Sequence, residues 1–529
     1  KERYPTDTFN QAWLAQIYPD HGFGGYNGEI TDTVFLAKEK EAQLLGHALL
    51  KSATEWVAEH ATPVEKQSLK LVIFNPLSWE RSGPAQVEIP AAPGQDPEVV
   101  DAAGKPLTIQ RLPRPSGGTV RYMVETQNLP PLGYSTFAIR YKPHEEQPVP
   151  QEEFKTKTVE NRFYRLEFAA GGLRSIFDKE LQKEMLNPES FLGGEVYMLD
   201  SVGNGAHEFG ETQQPSWKNI EKLSQYAPGW RLVESGPLRR GWRIEQPMRQ
   251  VTVRLDVYLY EQSKRLDFDI ELLHWSGERY KEFRMAMPAN MPDAEVAYEV
   301  PYGVLEVGKD EIAGIPFQGW YSRPARLIHP REIQDWMAAS GGGATLMLSS
   351  SVALWDYLDS EERKDRVTLL QPILLASRKS CHGLGNWYLQ KGDHRYHFSL
   401  TSFAGDWRKN PRFGNEINAP MPSVVVAPDA IEPALPSTFS LCRVLQPNYL
   451  VTELKVADDQ NGIIVRGYEV AGQDTEVTLR FPIDISKANP TSLIEEDLPE
   501  PLETSEGQIR FKAGHRSINA QRIVGRWKM

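Results

Sequence analysis

The run Tyr18-Pro19-Asp20-His21-Gly22-Phe23-Gly24-Gly25-Tyr26-Asn27-Gly28-Glu29 is where this sequence most concentrates chemistry. Its glycines let backbone approach a partner closely and adopt positive φ. Asp20 beside His21 can fix the imidazole in one tautomer, or both side chains can face a metal. An ordinary glycine-rich helix–helix connection with an exposed histidine satisfies the same pattern. Other candidates are weaker. His207-Glu208-Phe209-Gly210-Glu211 opens like a helical zinc motif, but it lacks the second histidine and a glycine interrupts it, so it reads as a polar loop. His394 and His397 stand three apart in an alternating segment, and on a strand they face opposite sides and cannot chelate one ion. Cys381-His382 has no further ligands nearby. Asp458-Asp459 and Glu495-Glu496 read as solvated turn acids. No phosphate loop, dinucleotide fingerprint or Gly-x-Ser-x-Gly elbow is present.

The elements that would carry these residues divide at Pro63. Before it the pattern is helical. Phe9, Trp13 and Ile17 recur at spacing four and mark one face of a short helix. Thr31, a plausible N-cap, and Asp32 then open a long helix with a stripe of Ala42, Leu45, Leu49, Ala53 and Trp56, which Pro63 ends. Lys38, Lys40, Glu55 and Glu59 form its solvated face. Beyond Pro63 the period is two. Val251, Val253, Leu255, Val257 and Leu259 alternate with Thr252, Arg254, Asp256 and Tyr258, and Leu266, Phe268, Ile270 and Leu272 alternate with Arg265, Asp267, Asp269 and Glu271. This predicts antiparallel strands with one wet face. With 39 prolines and 40 glycines, the chain is expected to be mainly β with a small α part: an N-terminal helical domain followed by several antiparallel β-sandwich domains. The expected divisions are a helical segment at 1–66, a small sandwich at 67–145, a large sandwich at 152–435 and a C-terminal sandwich at 440–529. Lys142–Gln151 reads as a polar linker and the proline-rich stretch 419–436 as a connector.

Composition bounds the partners. The 529 residues carry 59 Lys+Arg against 71 Asp+Glu, a formal charge of −12, and no Lys/Arg run longer than a pair. That argues against nucleic acid as a partner. Mean hydropathy is −0.48, and no stretch approaches the ~20 apolar residues of a membrane helix. The two cysteines, Cys381 and Cys442, fit a reducing compartment better than a disulfide scaffold, although one disulfide remains open. No Asn-x-Ser/Thr sequon lacks an intervening proline. The expected location is cytoplasmic. The abrupt start at Lys1, with no signal-like segment, reads as a fragment of a longer protein.

Several phrases together resemble the post-barrel half of the family 38 glycoside hydrolases, the zinc-dependent α-mannosidases. They are the Asp20-His21-Gly22 loop before a long helix, Val72-Ile73-Phe74-Asn75-Pro76-Leu77-Ser78-Trp79-Glu80-Arg81, and Asn161-Arg162-Phe163-Tyr164-Arg165-Leu166-Glu167-Phe168 followed by Gly171-Gly172-Leu173 and Ser175-Ile176-Phe177-Asp178-Lys179-Glu180. A final phrase joins Ala457-Asp458-Asp459 to Gly462-Ile463-Ile464-Val465-Arg466-Gly467-Tyr468-Glu469. The resemblance implies a β/α barrel preceding this chain, a three-helix domain of which residues 1–66 are a remnant, and β-sandwiches after it. It implies a retaining glycosidase acting on α-mannosides in mannose metabolism, with a carboxylate nucleophile and most zinc ligands in the barrel. This chain would then contribute no catalytic nucleophile. It would contribute His21 as a zinc ligand with Asp20 as its neighbour, and Arg378 as a residue presented to the sugar. Known members show His-Asp followed by Gly-Thr, where this chain has Asp-His-Gly.

Two other readings compete. Trp217, Trp230, Trp242, Trp275, Trp320, Trp336, Trp355, Trp387 and Trp407 could stack on sugars in a stand-alone carbohydrate-binding module, or simply fill sandwich cores. A different glycosidase with the same architecture is the other, since barrel loops set substrate choice.

Overall fold

Alternation of apolar and polar residues becomes strand in the computed structural model, which describes residues 4–18, 29–113, 118–144, 154, 157–200, 219–291, 293–311, 331–358, 367–379, 387–428 and 431–527. The fold is mainly β with a small helical part. One unit comprises residues 1–147 with 419–529, and the other residues 148–418. Among the described residues no helix is long and apolar enough to cross a membrane.

In the first unit, α1 (Thr6–Gln16) packs on α2 (Glu29–His60). The α2 helix starts two residues before the expected cap at Thr31. Ala15 and Ala42 are buried at the contact, Gln11 Nε2 donates to Glu41 at 2.9 Å, and Tyr18 meets Phe35 edge-on at 5.8 Å. Because α1 rests on its alanine side, much of the apolar stripe faces outward. Trp13 is 61% exposed, Leu14 67% and Ile17 63%. On α2, Leu36 and Leu44 are exposed as well. The end of α2 is held from a strand. Buried Lys70 donates from Nζ to the carbonyls of Glu59 at 3.1 Å and Ala61 at 2.6 Å, placing a cation on orphan acceptors at the negative pole of the helix.

Lys70 lies in the strand Leu69–Asn75 of the first sandwich. That strand pairs with Gly133–Pro143 on one side and Ser423–Val426 on the other. Ser423–Val426, inside the stretch expected to be a connector at the end of the large sandwich, is instead a strand of this one. A four-residue Ser-Val-Val-Val strand flanked by prolines is too short to show alternation, and tertiary pairing decides where it goes. A three-stranded sheet of Arg81–Pro90, Thr119–Leu129 and Ile109–Arg111 belongs to the same sandwich, and Leu71, Ile73, Val87, Ile89, Val124 and Ile139 make its core.

The C-terminal sandwich joins two four-stranded sheets over Val451, Val465, Val477, Leu479, Ile509 and Ile523. Cys442 is buried there and free, while Cys381 lies outside the described residues. At the end of the strand Ile463–Glu469, the fully buried Glu469 carboxylate accepts from Asn448 Nδ2 and from the backbone N–H groups of Ala471, Gly472, Gln473 and Arg516, all at 2.8–3.0 Å. Glu495, expected to be solvated, is also buried: it pairs with Lys455 at 2.7 Å and accepts from the Asp458 N–H at 2.8 Å.

In the second unit a nine-stranded and a seven-stranded sheet share one core. Leu255, Val257, Phe268 and Ile270 from the former meet Phe283, Met285, Leu370 and Leu374 from the latter. The face expected to be wet is partly dry. Cross-strand register lines up Arg243, Asp256, Asp269 and His397 in one row and Glu245, Arg254, Glu271 and Arg395 in the next. Charges alternate along the second row, and in the first the facing aspartates are flanked by Arg243 and His397, so the groups cover one another. Tyr258 and Tyr260 are buried beside Arg239, whose guanidinium lies 4.0 Å from the Tyr258 ring centroid.

Asp267, 1% exposed, sits in this face with Arg265 bidentate at 2.6 and 2.7 Å and Ser399 Oγ donating at 2.5 Å. Burial pushes its carboxyl up, but Arg265, His397 and Ser399 outweigh burial and hold it at about 2. A depressed carboxylate stabilises the fold above its unfolded value near pH 4, and that stability disappears as pH falls toward 2. The contribution is about 2–3 kcal/mol. Urea unfolding of the parent chain should therefore weaken between pH 5 and pH 2. Asp267→Asn should start lower at pH 5 and show a shallower acid loss; identical pH profiles would refute this.

Candidate functional site

Arg378 stands near the end of the strand Thr368–Lys379 in the seven-stranded sheet, and what surrounds that end follows from register. Arg378 is opposite Tyr388 and Lys379 opposite Trp387. On the other side, Ser377 is opposite Lys281, and Lys281 opposite Asp200. Three neighbouring strands therefore deliver Asp200, Lys281 and Arg378 to one sheet end. The Arg378 side chain lies outside the described residues.

The described groups there form a polar and aromatic rim. Lys281 Nζ pairs with Asp200 Oδ1 at 2.6 Å and Asn219 Nδ2 donates to Asp200 Oδ2 at 2.5 Å. Burial raises the Asp200 pKa, but Lys281 and Asn219 outweigh it and hold the carboxyl below its ordinary value. Tyr280, with a left-handed φ of 57°, donates its backbone N–H to Ser377 at 2.9 Å. Its half-exposed ring meets Trp387 edge-on at 4.9 Å, with the Arg279 guanidinium 4.7 Å from the Trp387 centroid. Ion-paired charges beside exposed rings can bind hydroxyl-rich, neutral ligands.

Beneath this rim the sheet carries a buried ionic network. Arg284 Nε pairs with Glu282 at 2.6 Å, and its Nη1 reaches Asp356 at 2.8 Å and Gln371 Oε1 at 2.9 Å, while Tyr197 OH also donates to Gln371. These five side chains are fully buried. Burial pulls the guanidinium down, but Glu282 and Asp356 outweigh it and hold Arg284 above its ordinary pKa. Charge thereby ties one face of four strands together, beside the apolar cluster of Phe191, Leu199, Ala286 and Leu369.

His21 and Asp20 lie outside the described residues, as do His207, Cys381 and His382. His394 and His397 turn apart, as strand geometry requires. His394 Nε2 contacts the Gln390 carbonyl at 2.5 Å, and His397 Nδ1 contacts Asp269 at 2.5 Å. Among the described residues no three His, Cys, Asp or Glu side chains come together as a metal would need. Trp230, Trp242, Trp275, Trp336, Trp355 and Trp407 are buried, which favours core filling over sugar stacking. Trp217 and Trp320 lie outside the described residues.

Residues 159–312 match the family model described as the glycosyl hydrolases family 38 C-terminal domain, and residues 448–519 match the family 38 C-terminal beta sandwich domain. The fold is similar to that of an alpha-mannosidase from Enterococcus faecalis V583, with 15% identity and a TM-score of 0.72, covering 98% of this chain and 64% of that one. It is also similar to a protein in glycosyl hydrolase family 38 from Enterococcus faecalis, with 14% identity and a TM-score of 0.76, covering 98% of this chain and 66% of that one. The chain thus spans about two-thirds of the length of these structures. No curated protein matches the sequence.

Proposed function

We propose, from a chain that is a C-terminal portion of glycosyl hydrolase family 38, that the whole protein is a retaining α-mannosidase and that this portion supplies its helical and β-sandwich scaffold. The two family-domain matches carry the reading. In it, a preceding barrel holds the nucleophile and most of the zinc ligands, and this chain adds His21, with Asp20 as neighbour, to that metal. Zinc, where bound, would hold sugar hydroxyls.

The chain's own contribution is positional. In this reading Arg378, opposite Tyr388 and one residue past the Ser377–Lys281–Asp200 row, would offer its guanidinium as a donor to a sugar hydroxyl. The outward-facing Trp13, Leu14 and Ile17 give the helices an apolar surface of the kind a further domain covers.

The test compares the 529-residue chain with the whole protein on an aryl α-mannoside, with metal analysis of both. Turnover with retention and one zinc per molecule are expected of the whole protein, and neither of the chain alone. In the whole protein, Arg378→Met should lower kcat/KM by about tenfold or more while zinc content holds. Turnover or tight zinc in the isolated chain, or a whole protein inert on α-mannosides, would overturn the reading.

A further inference from the structure

The same sheet end borders a cleft of about 380 Å³ lined, among the described residues, by Asn219, Ile220, Glu221, Gln225, Tyr226 and Arg249. Glu221 accepts from Tyr226 OH and from Arg249 Nε, and Asn219 is tied to Asp200. Gln225 Oε1 accepts from the Lys222 backbone N–H at 3.2 Å, which leaves its amide nitrogen as a donor. Glu221 and Arg249 neutralise each other, so an ion of either sign would meet one like charge. A neutral molecule with adjacent hydroxyls meets a carboxylate acceptor and a forked guanidinium donor side by side. Tyr226, 37% exposed, adds a ring edge or face for C–H contact.

The cleft's place in the sheet gives it a relation to Arg378. Glu221 lies in the strand Glu221–Lys222, which pairs with Glu195–Asp200, then Lys281–Ala289, then Thr368–Lys379. The row through Glu221 runs by Met198 and Phe283 to Leu375, three residues short of Arg378, so roughly 14 Å across the sheet and about 10 Å along it separate the two, about 17 Å in all, the span of a short oligosaccharide. We propose that the Asn219–Glu221–Tyr226–Arg249 cleft is a secondary carbohydrate subsite, holding a sugar residue of a glycan whose other end reaches the Arg378 sheet end. The proposal rests on the glycosidase reading for its ligand class.

Affinity electrophoresis of the 529-residue chain in gels containing yeast α-mannan or mannose-free xylan tests it. Retardation by α-mannan is expected, weakened about fivefold or more by Tyr226→Ala and by Arg249→Met, each with its thermal transition retained. Where the methionine variant loses that transition, Arg249→Lys keeps a cation for Glu221 but not the forked donor, and it should weaken retardation too. Variants retarded like the parent overturn the subsite and leave the mannosidase reading standing. A parent retarded only by xylan, through these residues, sustains the subsite and overturns α-mannoside as its ligand. A parent retarded by neither polysaccharide overturns the subsite.

Discussion

Arg284→Met should lower the stability of the 148–418 unit by about 3–5 kcal/mol, more than a methionine's own packing could restore. The reason is what stays behind. Glu282 and Asp356 are both fully buried, with Arg284 Nε and Nη1 as cationic partners at 2.6 and 2.8 Å. Removing the guanidinium leaves two carboxylates in a dry layer, and breaking a buried pair from one side costs about 3–5 kcal/mol. Replacing the whole set behaves differently. Arg284→Met with Glu282→Leu and Asp356→Leu should recover most of the loss, because buried ionic groups and well-packed apolar ones often come out nearly equal. Hydrogen exchange along Lys281–Ala289 and Thr368–Lys379 would read the change within this unit. Loss below about 1 kcal/mol in the single variant would show that the network does not lock the sheet.

Glu469→Gln should destabilise the C-terminal sandwich by about 2–4 kcal/mol although the two side chains have nearly the same shape. The carboxylate accepts from four backbone N–H groups and one amide nitrogen. It is surrounded by donors, and an amide offers one acceptor and presents its own donor to the remaining N–H groups. Charge-assisted bonds are lost and buried donors are left facing a donor. Faster exchange at Ala471, Gly472, Gln473 and Arg516, together with a lower urea midpoint, is the expected result. An unchanged midpoint would mean that the turn holds without its carboxylate.

The sandwich cores were legible because a half-buried strand repeats every two residues, and Val253–Leu259 and Leu266–Leu272 do so cleanly. Arg284 and Glu282 were not. They alternate with Phe283 and Met285 as residues of a wet face would, and only the surrounding fold makes that face dry. The stripe on α1 has the same weakness: spacing four identifies a helix, not the side its neighbour takes. The motif phrases were readable for another reason. Asn75 accepts from Leu77 N–H and donates to the Trp79 carbonyl, Asn161 accepts from Phe163 and Tyr164 N–H, and Asp178 accepts from Glu180 and Leu181 N–H. Each is a turn that needs a short side chain with an acceptor oxygen at that position, so the residue type survives in the text. These motifs report architecture rather than chemistry. Of the site, Arg378 could be placed at a sheet end, but the cleft of Asn219, Tyr226 and Arg249 could not. Most of its residues lie within 219–226, but Arg249 joins them only when the chain folds.

Lys70 ties the end of the long helix to the sandwich beneath it. A strand residue grips the last carbonyls of α2, so melting from that end would have to pull a cation out of a sandwich as well as break helical bonds. The turns of α2 nearest the sandwich are therefore costlier to open than their helical bonds alone would make them.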